Sequence, residues 1–68
     1  QYVKAREIIP ATEEEALILK VLSREPTHID RVASLTKLDA AIVNSTLTLM
    51  EMKGVIKNLG GMQYVLAR

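Results

Sequence analysis

The hydrophobic pattern changes its period at Gly54, and this change constrains the fold more than any other feature of the sequence. Upstream of it, apolar residues recur at the three- and four-residue spacing of helices. Downstream, two short runs suited to β-strands flank Gly60-Gly61. A Gly-Gly pair between such runs is typical of a two-residue hairpin loop, because both central residues need a positive φ. The sequence therefore predicts helices first and a hairpin last.

A two-residue loop also predicts the register of this hairpin. It pairs Asn58 with Gln63, Lys57 with Tyr64 and Ile56 with Val65. One face of the hairpin would then pack on the helices through five side chains, those of Val55, Leu59, Met62, Tyr64 and Leu66.

Capping signals predict where the first helix begins and ends. Thr12, followed three residues later by Glu15, forms a capping box, and glutamates in the first turn suit the positive end of the helix dipole. Glu25-Pro26 would end this helix. Its apolar stripe consists of Leu17, Ile18, Val21 and Leu22.

A second helix is predicted after a strand of two or three residues within 26–29. Asp30 is a good N-cap, so we expect this helix to run from Asp30 to about Thr36. It would bury Val32, Ala33 and Leu35.

A third helix follows after a tight turn at Lys37-Leu38. Asp39 would cap it, and it would run from Ala40 to Lys53, with Gly54 at the left-handed position that ends many helices. Two capped helices joined by so short a turn form a helix-turn-helix.

The complete order α, short β, α, α, β, β is that of a winged helix. We therefore expect an α+β, mainly α, winged helix-turn-helix domain over residues 12–68, with the hairpin as its wing. Residues 1–11 lack a sustained period and are predicted to be a linker or a flexible N-terminal arm. Because the 68-residue chain begins at Gln1 rather than Met, we expect it to be part of a larger protein.

Composition argues against several function classes. The chain has no cysteine and one histidine, so packing must stabilise the fold, and a single imidazole (His28) does not make a metal site. We expect no catalytic residues, no metal and no cofactor. With no signal-peptide pattern and no apolar run near the ~20 residues of a membrane span, we expect a cytoplasmic protein without a membrane partner.

The charge balance predicts weak DNA binding at most. The net charge is +1 and the pI is about 8.3, whereas a strong nucleic-acid binder of this size usually has a pI above ~9. The cations that could contact phosphates are Arg31, Lys37, Lys53 and Lys57. Alternatively, Lys53 complements the C-terminus of the third helix and the others keep the domain soluble.

The faces of the third helix separate when successive residues are set 100° apart. The core face would carry Val43, Thr46, Leu47 and Met50, and the outer face Ala41, Ser45, Thr48 and Met52, with Ile42 and Leu49 at one margin and Asn44 at the other. In a DNA-reading winged helix the outer face enters the major groove. Its candidate DNA contacts are Asn44, Ser45 and Thr48, a weak set because base edges are read mainly by Arg, Lys, Asn and Gln. Ile42 and Leu49, if exposed, are candidate protein-interaction residues.

Four spaced segments resemble a known family: residues 26–30 (PTHID), 36–39 (TKLD), 47–54 (LTLMEMKG) and 61–65 (GMQYV). Together they resemble the C-terminal winged-helix domain of DprA (also called Smf), the DNA-processing protein of bacterial natural transformation. The resemblance covers about residues 12–66. The chain departs from the family pattern at Lys37, where the family often has Gly, at Gly60, which replaces a hairpin Pro, and at Asn58 and Gln63, which are often Arg in relatives.

The resemblance implies an accessory domain without chemistry of its own in a competence protein. The parent would have an upstream Rossmann-like domain that binds single-stranded DNA and helps to load the recombinase RecA. Implied partners are DNA, contacted weakly, the Rossmann-like domain or a second copy of the protein, and RecA through the parent. Lys37 would either adopt left-handed geometry at a cost of ~1 kcal/mol or take part in another kind of turn.

Two alternatives remain open from the sequence. One is the winged helix of a sequence-specific transcriptional regulator, against which the composition of the third helix argues. The other is a pure protein-interaction or dimerisation module, which exposure of Ile42 and Leu49 would favour.

Overall fold

The computed structural model describes residues 12–67. The elements are α1 (Glu13–Val21), β1 (Thr27–His28), α2 (Ile29–Thr36), α3 (Ala40–Met52), β2 (Ile56–Asn58) and β3 (Gln63–Leu66). The strands form one antiparallel sheet in the order β1-β3-β2. The three helices together with this small sheet confirm the predicted α+β winged-helix fold. The arm predicted for residues 1–11 lies outside the described residues.

α1 begins as predicted but ends earlier. The Thr12 hydroxyl accepts a hydrogen bond from the Glu15 N–H at 3.1 Å, which is one half of a capping box. The helix stops at Val21, not at Glu25-Pro26, because the backbone turns extended at Leu22. This turn lets the Ser23 carbonyl accept a hydrogen bond from the Leu66 N–H at 2.8 Å, so the segment after α1 is bonded to strand β3.

The N-cap of α2 is His28, and the prediction of Asp30 was wrong. Nδ1 of His28 accepts a hydrogen bond from the Asp30 N–H at 3.0 Å, so Asp30 already lies inside the first turn. The start moves two residues upstream because the helix then includes Ile29, which is buried. Leu35 was also predicted to be buried, but it is exposed; Ile29 and Val32 supply the buried face instead.

The turn between α2 and α3 uses a left-handed lysine. Lys37 has φ 62° and ψ 20°, so the chain accepts the strained conformation rather than another turn. Asp39 then caps α3 as predicted, since its Oδ2 accepts a hydrogen bond from the Ala41 N–H at 3.1 Å.

α3 ends in a Schellman motif, which confirms the role predicted for Gly54. Gly54 has φ 80°, and its N–H donates to the Glu51 carbonyl while the Val55 N–H donates to the Met50 carbonyl. The reversal directs the chain from the helix straight into β2.

The wing has a three-residue loop, and the predicted register was wrong by one residue. Ile56 pairs with Leu66, Lys57 with Val65 and Asn58 with Tyr64. The loop consists of Gly60, Gly61 and Met62, all with positive φ, and Leu59 and Gln63 flank it. The Asn58 side chain stabilises this longer loop because its Oδ1 accepts a hydrogen bond from the Gly60 N–H at 2.8 Å.

The shifted register changes which wing residues reach the core. A one-residue slip moves side chains to the opposite face of a strand. Ile56, which was not on the predicted inner face, is buried, and Tyr64 is buried as predicted, with Val55 and Leu66 partly buried. Leu59 and Met62, predicted to pack on the helices, are exposed at the loop.

One hydrophobic core joins the three helices to the wing. Fully buried side chains come from every helix and from β2: Ile18, Val32, Val43, Leu47, Met50 and Ile56. All four residues predicted for the core face of α3 are buried. Because this face of α3 packs in the core, the opposite face of the helix points to solvent.

Candidate contact surface

The outer face of α3 is exposed and uncharged over most of its length. Ala41, Asn44, Ser45, Thr48 and Met52 are all exposed, as predicted from the helical periodicity. Between Ala40 and Met50 the helix contains no charged residue. The face therefore offers neither a cation for phosphate nor a long side chain for a base edge.

The hydroxyls on this face are already engaged as donors. Ser45 Oγ donates to the Ala41 carbonyl and Thr48 Oγ1 donates to the Asn44 carbonyl, both at 2.9 Å. Such back-bonding to the preceding turn is common for Ser and Thr within helices. Each hydroxyl keeps only its acceptor capacity for a ligand, so Asn44 is the remaining side-chain donor among the three candidate base contacts.

Both margin residues predicted as protein-interaction candidates are exposed. Ile42 is 43% and Leu49 is 53% exposed, and Met52 beyond them is 78% exposed. The three side chains lie on one side of α3, because their spacing of seven and then three residues places them within an arc of about 80°. An exposed apolar stripe of this kind is a feature of interaction surfaces.

The four candidate phosphate contacts do not share one environment. Arg31 in the first turn of α2, Lys37 in the turn and Lys57 on β2 are exposed. Lys53 is instead engaged within the fold, since its Nζ lies 2.8 Å from Oε2 of Glu15. What sets Lys53 apart from the other three candidates is therefore its ion pair with Glu15 and not its exposure.

The Glu15–Lys53 pair was not anticipated from the sequence. The sequence indicates only a local role for each residue, a capping box for Glu15 and the helix C-terminus for Lys53. The Glu15 side chain is only 6% exposed and that of Lys53 is 44% exposed, so the pair joins the start of α1 to the end of α3 at the edge of the core. No short-range pattern reports a contact between residues 38 positions apart.

An open groove of about 340 Å³ lies between α2, the start of α3 and the wing loop. Its lining is mostly apolar, with Asp30 and Asn44 as the polar members, and consists of Ile29, Asp30, Ala33, Ala40, Ala41, Asn44 and Met62. The Asp30 carboxylate is 91% exposed here. A negative charge at this position repels a phosphate backbone approaching between α3 and the wing.

We searched the part of the chain that the structure describes for metal-binding clusters and for membrane-spanning helices. Among residues 12–67, no group of three or more His, Asp or Glu side chains is arranged to hold a metal ion. None of the helices in the same range combines the length and apolarity needed to cross a bilayer. His28, the lone candidate ligand from the sequence, caps α2.

Comparisons with known proteins agree with this architecture. A family model described as the DprA winged helix domain matches residues 3–62. No curated protein and no solved structure matches the chain. The family match spans most of the 68 residues, and the helices, the capped turn and the wing occur in the order that the resemblance implied. The chain therefore belongs to the DprA winged helix domain family.

Proposed function

We propose that this domain serves a DprA-type DNA-processing protein of natural transformation as an accessory module without chemistry of its own, and that it acts by docking on protein. The observation that carries the proposal is the composition of the outer face of α3. That face presents mostly small and uncharged side chains where a DNA-reading winged helix presents Arg, Lys or Gln, and the exposed apolar residues Ile42 and Leu49 lie along its margin.

Two features of the exposed surface support protein rather than DNA as the ligand. The centre of a protein–protein interface is depleted of charge and enriched in large apolar side chains, as the stripe of Ile42, Leu49 and Met52 is. The groove beside α3 carries the exposed carboxylate of Asp30, which opposes phosphate.

Weak contact with DNA is a second candidate, favoured by the exposure of Arg31, Lys37 and Lys57. Each phosphate contact adds about −0.9 to the slope of log K against log salt concentration. With three cations and Asn44 as the one side chain suited to a base edge, such binding would be weak, nearly indifferent to sequence and lost as salt rises. A single base-reading side chain on α3 likewise argues against a sequence-specific transcriptional regulator.

The partners implied by the family are part of this proposal. An upstream Rossmann-like domain of the parent would bind single-stranded DNA and assist in loading RecA. The winged helix would then contribute a protein contact, either within the parent or between copies of it.

A titration of the isotope-labelled domain with short duplex and single-stranded DNA, at low and near-physiological salt, tests the proposal. We expect no amide shifts on the outer face of α3 with either DNA, and at low salt at most small shifts near Arg31, Lys37 and Lys57. Arg24→Ala, which removes an exposed cation in the bend between α1 and β1, outside the helix-turn-helix, is the matched control for Arg31→Ala. Amide shifts at Asn44, Ser45 and Thr48 that persist at near-physiological salt would contradict protein docking and indicate that α3 reads DNA.

A further inference from the structure

The groove between α2, the start of α3 and the wing loop is formed by small side chains on the helices and closed on one side by the wing. Ala33, Ala40 and Ala41 line it with methyl groups and leave the space that longer side chains would fill. Met62 lines it from the wing loop, and its carbonyl accepts a hydrogen bond from the Ile29 N–H at 3.0 Å. Because this bond ties the wing loop to α2, the groove is present before any ligand binds.

The groove carries one charge, the carboxylate of Asp30. Within residues 12–67, no lysine or arginine lies within ion-pair distance of it. Nδ1 of His28 is 3.7 Å from Oδ2 of Asp30, but this nitrogen accepts a hydrogen bond from the Asp30 N–H, so it carries no proton to neutralise the carboxylate. The groove therefore favours a cationic group at this position.

The other polar member of the lining, Asn44, has hydrogen-bonding capacity to spare. Its side-chain amide makes no hydrogen bond to any other residue in the described part of the chain, and the residue is exposed. A carboxamide donates to a carbonyl and accepts from an N–H, which are the two groups of a peptide bond.

We propose that this groove binds an extended segment of a partner protein in which a large apolar residue is followed by Lys or Arg. The apolar side chain would pack on the three alanines and Met62, the cation would pair with Asp30, and Asn44 would hold a peptide group between them. This inference rests on the proposed function and adds a docking surface distinct from the stripe of Ile42, Leu49 and Met52.

The size and openness of the groove favour a peptide over other ligands. Its volume of about 340 Å³ is near the lower end of the ~300–1,000 Å³ of small-molecule sites. An open groove of this size suits one anchoring side chain of a chain that passes across it, because apolar anchors in preformed pockets supply much of the affinity of protein contacts. Anionic ligands, including phosphates, are opposed by Asp30.

A titration of the isotope-labelled 68-residue chain with the N-acetylated, C-amidated peptide GSLKSG tests the proposal. We expect amide shifts at Ala33, Ala41 and Asn44 at millimolar peptide. The peptide GSLESG should bind about two- to fivefold more weakly, as expected for the loss of one exposed ion pair, and GSAKSG should bind more weakly because it lacks the anchor. No shifts at the groove with millimolar GSLKSG, or equal binding of GSLKSG and GSLESG, would overturn the proposal.

Variants of the domain test the two parts of the contact separately. Asp30→Lys should reverse the preference, so that GSLESG binds better than GSLKSG, whereas Glu51→Lys, a charge reversal on exposed α3 surface outside the groove, should leave the preference unchanged. Ala41→Leu should fill the groove and weaken GSLKSG by at least about tenfold. Ser45→Leu, one turn further along α3 and outside the lining, is its matched control. Equal effects within either pair would contradict the assignment of the groove.

Two other occupants would give different results in the same protein. Shifts of the groove amides on concentrating the protein without peptide would identify a second copy, and their broadening by a nitroxide on Gln1→Cys in dilute protein would identify residues 1–11; either result would overturn the proposal. A groove that ignores the peptides, in a domain whose α3 amides also ignore DNA, would refute this inference alone. DNA-induced shifts on the outer face of α3 would refute protein docking itself.

Discussion

Nζ of Lys53 lies 2.8 Å from Oε2 of Glu15, and this ion pair ties the first turn of α1 to the C-terminus of α3. The carboxylate is almost fully buried and the ammonium is partly exposed. A buried charge depends strongly on its partner, because water no longer solvates it. Lys53 therefore belongs to the stabilising framework of the domain rather than to its contact surface.

Removing the lysine should destabilise the fold. We expect Lys53→Ala to lower the free energy of unfolding by about 1–2 kcal/mol, less than for a fully buried pair because the ammonium is partly solvated. Urea denaturation measures the change. Arg24→Ala, at an exposed bend, is the control and should have an effect within about 0.5 kcal/mol. A Lys53→Ala variant as stable as the control would show that the pair contributes nothing.

The cap of α2 gives a second stability prediction. His28→Ala should cost about 1 kcal/mol, because the Asp30 N–H loses its acceptor, whereas His28→Asn supplies a replacement oxygen and should cost less. Asp30→Asn should have a smaller effect than His28→Ala, since Asp30 only complements the helix dipole. Thermal unfolding compares the three variants. A larger loss of stability from Asp30→Asn than from His28→Ala would indicate that Asp30, and not His28, is the N-cap.

Helix caps could be predicted from the sequence where the capping contact is local. Thr12, Asp39 and Gly54 were predicted correctly because each acts through neighbours within three residues. Asp30 was wrong because His28 is an uncommon cap, and burial of Ile29, a tertiary effect, favours the earlier start.

The ion pair between Glu15 and Lys53 could not be predicted from the sequence. It depends on how α1 and α3 pack, and no local pattern encodes that packing. The register of the wing depends on a hydrogen bond from the Gly60 N–H to the Asn58 side chain, which favours a loop of three residues over one of two.

The outer face of α3 was predicted correctly because helical periodicity alone separates it from the core.

Substitutions at the two left-handed residues Lys37 and Gly54 should change the free energy of unfolding in opposite directions. Lys37→Gly should raise the free energy of unfolding by about 0.5–1 kcal/mol, because glycine adopts a φ of 62° without strain. Gly54→Ala should lower it by about 1 kcal/mol, and no atom lies within 4 Å of the added methyl group, so the loss is conformational. Urea denaturation of both variants measures the pair. A stabilised Gly54→Ala would contradict the Schellman assignment.

Any DNA affinity should be electrostatic and should exclude Lys53. We expect Arg31→Ala and Lys57→Ala each to reduce the magnitude of the salt slope by about 0.9. Lys53→Ala should leave the slope unchanged because its ammonium is paired with Glu15. Fluorescence anisotropy of a labelled duplex across a salt series provides the slopes. A reduced slope for Lys53→Ala, or unchanged slopes for the other two, would contradict this placement of the phosphate contacts.

The most direct test of the central claim follows the amide shifts of Ile42, Ser45 and Leu49 as duplex DNA is added at constant protein concentration and near-physiological salt. If the outer face of α3 docks on protein rather than DNA, these amides stay unchanged throughout the titration. Shifts of these amides that follow the DNA concentration would contradict the claim and identify α3 as a DNA-contact helix.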